Sequence, residues 1–136
     1  MTSEPIVFDT SVLIDHFRTN CHAVRMEALA GTVLDSSVVL AELWRGAKTE
    51  PERRALTEIA QNGILVTPSE ADWIESGQVL SALRRTHGFE PAKLRDLHFD
   101  VLIALSARAY GARLISSNRS DFEMIRKPVD FKLEIW

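Results

Sequence analysis

The chain has 136 residues, 46% of them hydrophobic, with 16 Lys and Arg against 19 Asp and Glu for a formal net charge of -3. That length suits one ordinary domain, and the apolar fraction is enough for a real core, which excludes a disordered chain. The net charge excludes capture of nucleic acid by the molecule as a whole, and no apolar run approaches the roughly 18 residues that a membrane helix needs.

In chain order, Ile6 to Phe8 is a short apolar run that predicts a buried strand. Thr10 or Ser11 is placed to cap a helix through about Phe17. Cys21 to Ala30 predicts a second helix, stopped by Gly31, and Thr32-Val33-Leu34 a second strand. Ser36 or Ser37 caps a helix to about Lys48, whose apolar stripe of Val39, Leu40, Leu43 and Ala47 is bordered by Glu42. Pro51 suits the first turn of a helix through about Gln61. Ile64-Leu65-Val66 then reads as strand three, and Ser69 caps a long helix to about Arg85.

Thr86 to Arg95 holds Gly88 and Pro91 and is expected to be a loop, with a mostly apolar helix following from Asp96 to Tyr110. Leu114-Ile115 is strand four, and Phe131 to Ile135 an edge strand. Strands alternating with helices predict an α/β fold, a central, mostly parallel sheet of four to five strands flanked by helices, in a single domain over residues 1–136.

Four acids border the core elements. Asp9 ends the first strand, Glu42 edges the third helix, Asp100 opens the apolar stretch from Val101 to Ala109, and Asp121 follows the fourth strand. Carboxylates that lose water without a partner are costly, so a cation is expected to gather them. An all-oxygen donor set suits magnesium or manganese. In open α/β sheets, sites form beyond the carboxyl ends of the strands, where Asp9, Asn118 and Asp121 fall. On this reading Asp96 and Asp100 start a helix at the same edge, where the helix dipole favours negative charge, and Asp96 is a helix cap. Asp15 and Asp35 read as a helix-surface acid and a turn acid.

The order of these pieces resembles the PIN-domain nucleases, and most closely the VapC-type toxins of toxin–antitoxin pairs. The likeness rests on Asp9-Thr10-Ser11-Val12-Leu13, on Ser36 to Gly46 with its Glu42-Leu43, on Asp100-Val101-Leu102-Ile103-Ala104, and on Leu114 to Phe122. Each string alone is common; four in this order, over nearly the whole chain, are fairly specific.

The resemblance implies a metal-dependent endoribonuclease in which a metal-bound water hydrolyses the phosphodiester. Asp9 and Asp100 would be the principal ligands of Mg2+ (or Mn2+), with Glu42 and Asp121 completing the acidic site. Thr10, Ser11 and Asn118 would hold it by hydrogen bonds. RNA would meet a basic patch of Arg84, Arg85, Lys93 and Arg119. A homodimer and a cognate VapB-like antitoxin are implied as well. The alternative is a PIN fold without catalysis that binds RNA or a protein partner. A phosphoryl-aspartate protein is disfavoured, because the position two residues after Asp9 is Ser11.

Residues 1–4 lack a basic stretch followed by an apolar one, and the single Cys21 cannot form an internal disulfide, so a cytoplasmic protein without a membrane span is expected.

Overall fold

The structure, a computed structural model, describes residues 4–136; residues 1–3, on which the reading of the N-terminus partly rests, lie outside the described residues. Five parallel strands form one sheet in the order β3-β2-β1-β4-β5. They are β1 (Ile6–Phe8), β2 (Val33–Ser36), β3 (Leu65–Val66), β4 (Arg113–Ser116) and β5 (Lys132–Ile135). Seven helices flank them among the described residues: α1 (Thr10–Thr19), α2 (Ala23–Ala28), α3 (Ser37–Gly46), α4 (Glu50–Asn62), α5 (Glu70–His87), α6 (Pro91–Ala109) and α7 (Arg119–Ile125). The edge strand expected near the C-terminus is β5, paired in register with β4 from Arg113↔Lys132 to Ser116↔Ile135. No described helix is long and apolar enough to cross a membrane.

Alternation along the strands splits the core into two faces. Val7 and Leu114 join the larger cluster with α3, α5, α6 and α7, while Ile6, Phe8 and Ile115 join a smaller one with Val12 of α1 and, at its edge, Met26, Leu29 and Trp136. Helix α6 is the central helix of the larger face. Its residues Val101 to Ala107 are all essentially inaccessible to solvent, and a helix that is apolar all round belongs inside.

Three boundaries depart from the sequence expectations, each for a local reason. The first concerns Thr86 to Arg95, which is not a loop. Helix α5 runs to His87 and ends on Gly88 in the left-handed conformation, and α6 begins at Pro91, three residues later. Glycine at a helix end and proline at the first helical position act here as punctuation between two helices. Asp96 therefore caps nothing; it is exposed within α6, whose N-cap is Glu90. Asp100 sits in the middle of this 19-residue helix, so the helix dipole does not account for its placement. The second concerns α1, which is capped by Asp9 itself, whose side chain accepts from the Ser11 backbone N–H, and not by Thr10 or Ser11. The third concerns Asn118, which caps a short helix, α7, where the sequence reading placed no helix between strand four and Phe131.

Asp35, expected in a turn, lies within β2 against the end of α4. A Cβ added at Gly63 would stand 2.3 Å from Asp35 Oδ2 and 2.7 Å from the Ile59 carbonyl oxygen. The backbone oxygen cannot swing away, so Gly63→Ala is expected to cost about 1–3 kcal/mol, as overpacking does, read as a lowered denaturant midpoint.

Candidate active site

The four acids are carried to one end of the sheet by four different elements. Asp9 follows β1 directly and is 3% exposed. Its Oδ2 accepts from Ser11 Oγ at 2.6 Å and from Ser116 Oγ at 2.8 Å. Ser116 is the last residue of β4, next to β1 in the sheet, and its Oγ also accepts the Asn118 backbone N–H at 2.9 Å. Ser11 Oγ accepts the Ser117 backbone N–H at 3.1 Å. Asp9 is thus fixed from both adjoining elements, α1 and β4.

Glu42 projects from the second turn of α3, where Oε1 accepts the Thr10 hydroxyl at 2.8 Å. Burial raises its pKa, the Thr10 bond opposes that, Asp9 raises it further and Arg45 lowers it. Arg45 itself lies over the Phe99 ring, 5.5 Å from its centre, beside Asp100. Asp121, in the first turn of α7, has both oxygens engaged: Oδ1 with Lys93 Nζ at 3.0 Å and Oδ2 with Asn118 Nδ2 at 3.0 Å. The neighbouring Phe122 is fully buried and holds that turn against the core.

Asp100 stands where α6 enters the core. Its carboxyl is pushed up to about 8 from the ordinary 3.8, first by burial, then by the charges of Asp9, Glu42 and Asp121, with Lys93 opposing. Four carboxylates therefore share one electrostatic neighbourhood. They are not yet a formed coordination shell: among the described residues no three His, Cys, Asp or Glu side chains stand in a metal-holding arrangement. The donor chemistry still fits a hard divalent cation. Every candidate ligand is a carboxylate oxygen, and a cation would offset the burial and the repulsion that together raise the pKa of Asp100.

The raised pKa has a measurable consequence. A carboxyl whose folded pKa lies above its unfolded value binds an extra proton in the folded state between those values, so stability falls as pH rises from about 4 through about 8. With EDTA present, the wild type should lose stability over that window relative to Asp100→Asn, at no more than about 1.4 kcal/mol per pH unit. Thermal unfolding of both proteins at pH 5 and pH 8 checks this. Equal pH dependence would show that Asp100 is not perturbed.

The expected supporting residues all make contacts here: Thr10 with Glu42, Ser11 with Asp9, and Asn118 with Asp121. Of the four expected basic residues, Lys93 alone is ion-paired to one of the four acids among the described residues. Lys93 points at Asp121. Arg119 pairs with Glu123 at 3.0 Å, and Arg84 and Arg85 lie exposed in the last turn of α5 with no ion pair to the four acids among the described residues. Sequence reasoning missed Ser116, and also Ser117, whose hydroxyl donates to Asp15 Oδ2 at 3.1 Å. The signal for Ser116 was the strand itself, since a serine ending the strand beside β1 must face the residue that ends β1. The pairing of Lys93 with Asp121 was missed as well. A helix begun at Pro91 would have set Lys93 seven residues before Asp100, on the same face.

A sequence model of the PIN domain matches residues 6–128, a span that holds all four acids. The chain belongs to the PIN domain family. No curated protein matches it in sequence. Among solved structures, the fold is similar to that of VapBC-1 from nontypeable Haemophilus influenzae, at a TM-score of 0.73 and 22% identity, covering 97% of this chain and 98% of the other. DNA-bound VapBC from Salmonella typhimurium is similar at a TM-score of 0.71 and 22% identity, covering 98% and 99%. VapBC2 from Rickettsia felis, bound to a fragment of its promoter DNA, is similar at 0.69 and 22%, covering 97% and 98%. The PIN fold thus accounts for nearly the full length of both partners in each comparison.

Proposed function

We propose that this PIN domain is a metal-dependent endoribonuclease acting as the VapC-like toxin of a toxin–antitoxin pair. The observation that carries the reading is the meeting of Asp9, Glu42, Asp100 and Asp121, from four separate elements, at the carboxyl end of a parallel sheet. Nothing in packing requires four acids there. Similarity over almost the whole length to chains solved as VapBC complexes supports the toxin assignment and a VapB-like antitoxin; a homodimer is part of the same proposal.

In this reading Asp9 and Asp100 hold magnesium or manganese, with Glu42 and Asp121 directly or through waters. A divalent ion bound there supplies Lewis acidity to a phosphoryl oxygen and activates a water for in-line attack. The chain's own part is positional. Ser11 and Ser116 fix the Asp9 carboxylate, Thr10 fixes Glu42, and Asn118 and Lys93 fix Asp121. Because the attacking group comes from water, the 2′-hydroxyl of RNA is not consumed, and cleavage leaves no 2′,3′-cyclic phosphate.

Induced expression in a bacterial host tests the toxin reading. Growth should stop, the RNA should carry new internal ends free of cyclic phosphate, and co-expression of a small DNA-binding partner encoded beside this chain should restore growth. Unimpaired growth with no new RNA ends would refute it and favour a PIN fold that binds without cutting.

A further inference from the structure

Lys93 is the one cation drawn directly into the acidic neighbourhood by an ion pair among the described residues. Its ammonium is 3.0 Å from Asp121 Oδ1, and the other oxygen of that carboxylate already accepts from Asn118 Nδ2 at 3.0 Å. The Asp121 backbone N–H closes the same unit on Asn118 Oδ1 at 3.4 Å. Asp121 is therefore neutralised and has a donor on each oxygen before any ion arrives. Asp9 differs, because its donors are neutral hydroxyls and one amide, which leave its charge uncompensated. Asp100 lies close enough to Lys93 to feel its charge.

The two halves of the site are thus unequal. One half, Asp9, Glu42 and Asp100, carries negative charge with no ion pair to compensate it among the described residues. The other half, Asp121, carries its own cation. We infer that Lys93 takes the place of a second metal ion: the site accepts a single divalent cation on the side of Asp9 and Asp100, and the Lys93 ammonium, anchored by Asp121, is the fixed positive charge that meets the substrate phosphate. A lysine ammonium has three N–H donors, and only one is used on Asp121, so two remain for phosphate oxygens. Lysine is a compact point charge suited to that task. Lys93 is a positioning residue for Asp121 and a phosphate contact, not a component of a dispersed RNA-binding surface. The inference rests on the metal-dependent reading above and specifies its stoichiometry.

The test counts ions without reference to turnover. Mn2+ is titrated into the purified full chain, and bound ion is read by the loss of the free-ion electron paramagnetic resonance signal, for wild type, Lys93→Met and Lys93→Arg. Thermal melts of the three proteins identify any variant that fails to fold. The expected result is one Mn2+ per wild-type chain, two per chain in Lys93→Met once Asp121 is released, and one again in Lys93→Arg, which restores the charge. Two ions on the wild type, or one on a folded Lys93→Met, would overturn the role given to Lys93 while leaving the metal site intact. No ion bound by any of the three would instead overturn the metal-dependent reading itself.

Discussion

Asp9→Asn and Asp100→Asn should each reduce RNA cleavage by the purified protein on the order of 100- to 1000-fold, while leaving it folded. Each substitution keeps the size of the side chain and removes the charge needed to hold a divalent ion. Loss of an ion's electrostatic help is worth several kcal/mol in the transition state, and about 1.4 kcal/mol is a factor of ten in rate. The stability readout should move differently. Asp9 accepts two hydroxyl hydrogen bonds, so Asp9→Asn, which presents an NH2 to those donors if the amide turns the wrong way, should be neutral or mildly destabilising. Asp100 is a half-buried acid crowded by three others, so Asp100→Asn should melt at a higher temperature than the metal-free wild type at pH 8. Activity lost together with a raised melting temperature separates a functional acid from a structural one. If Asp100→Asn cuts RNA at the wild-type rate, Asp100 is not part of the chemistry.

Phe122→Ala should be the most damaging single truncation near the site, at about 3–5 kcal/mol, with the melting temperature falling by roughly 10 °C or more. Phe122 is fully buried, and its ring meets Phe131 edge-on with centres 6.4 Å apart. It is also the residue after Asp121, on a helix of only seven residues that has little stability of its own. Removing the ring leaves a cavity among α6, α7 and the start of β5 and frees the turn that aims Asp121 at Lys93. Circular dichroism melts of wild type and Phe122→Ala measure the loss. Phe122→Leu should recover much of it, because it refills most of the volume. A melting temperature within about 2 °C of wild type would mean that α7 is not anchored as described.

Much of this was legible in the sequence, for identifiable reasons. Strands β1 and β4 are short apolar runs buried on both faces, the pattern of a parallel sheet. Ser36 and Ser69 announced their helices as caps, and Ser69 forms a full capping box with Asp72. The four acids stood out because each sat beside an apolar segment that could not spare a charge. What was not legible was longer in range. The helix α6 start was hidden because Gly88 and Pro91 each read as a breaker, whereas one ends a helix and the other begins the next. From that error followed the others: Asp96 mistaken for a cap, Asp100 assigned to a helix end, and Lys93 assigned to a loop when it lies on α6 facing Asp121. The pairing of Lys93 with Asp121 spans 28 residues, and that of Ser116 with Asp9 spans 107, so only the strand order β1-β4 and the packing of α6 against α7 reveal them.

The most direct test of the central claim is cleavage of single-stranded RNA by the purified wild-type chain as Mg2+ is titrated against EDTA. The four-acid site predicts internal cuts that rise from background to a plateau with free Mg2+, vanish in EDTA, and return when Mg2+ or Mn2+ is restored. Cleavage that persists undiminished in excess EDTA, or none at any Mg2+ or Mn2+ concentration with the protein folded and free of partners, would contradict it.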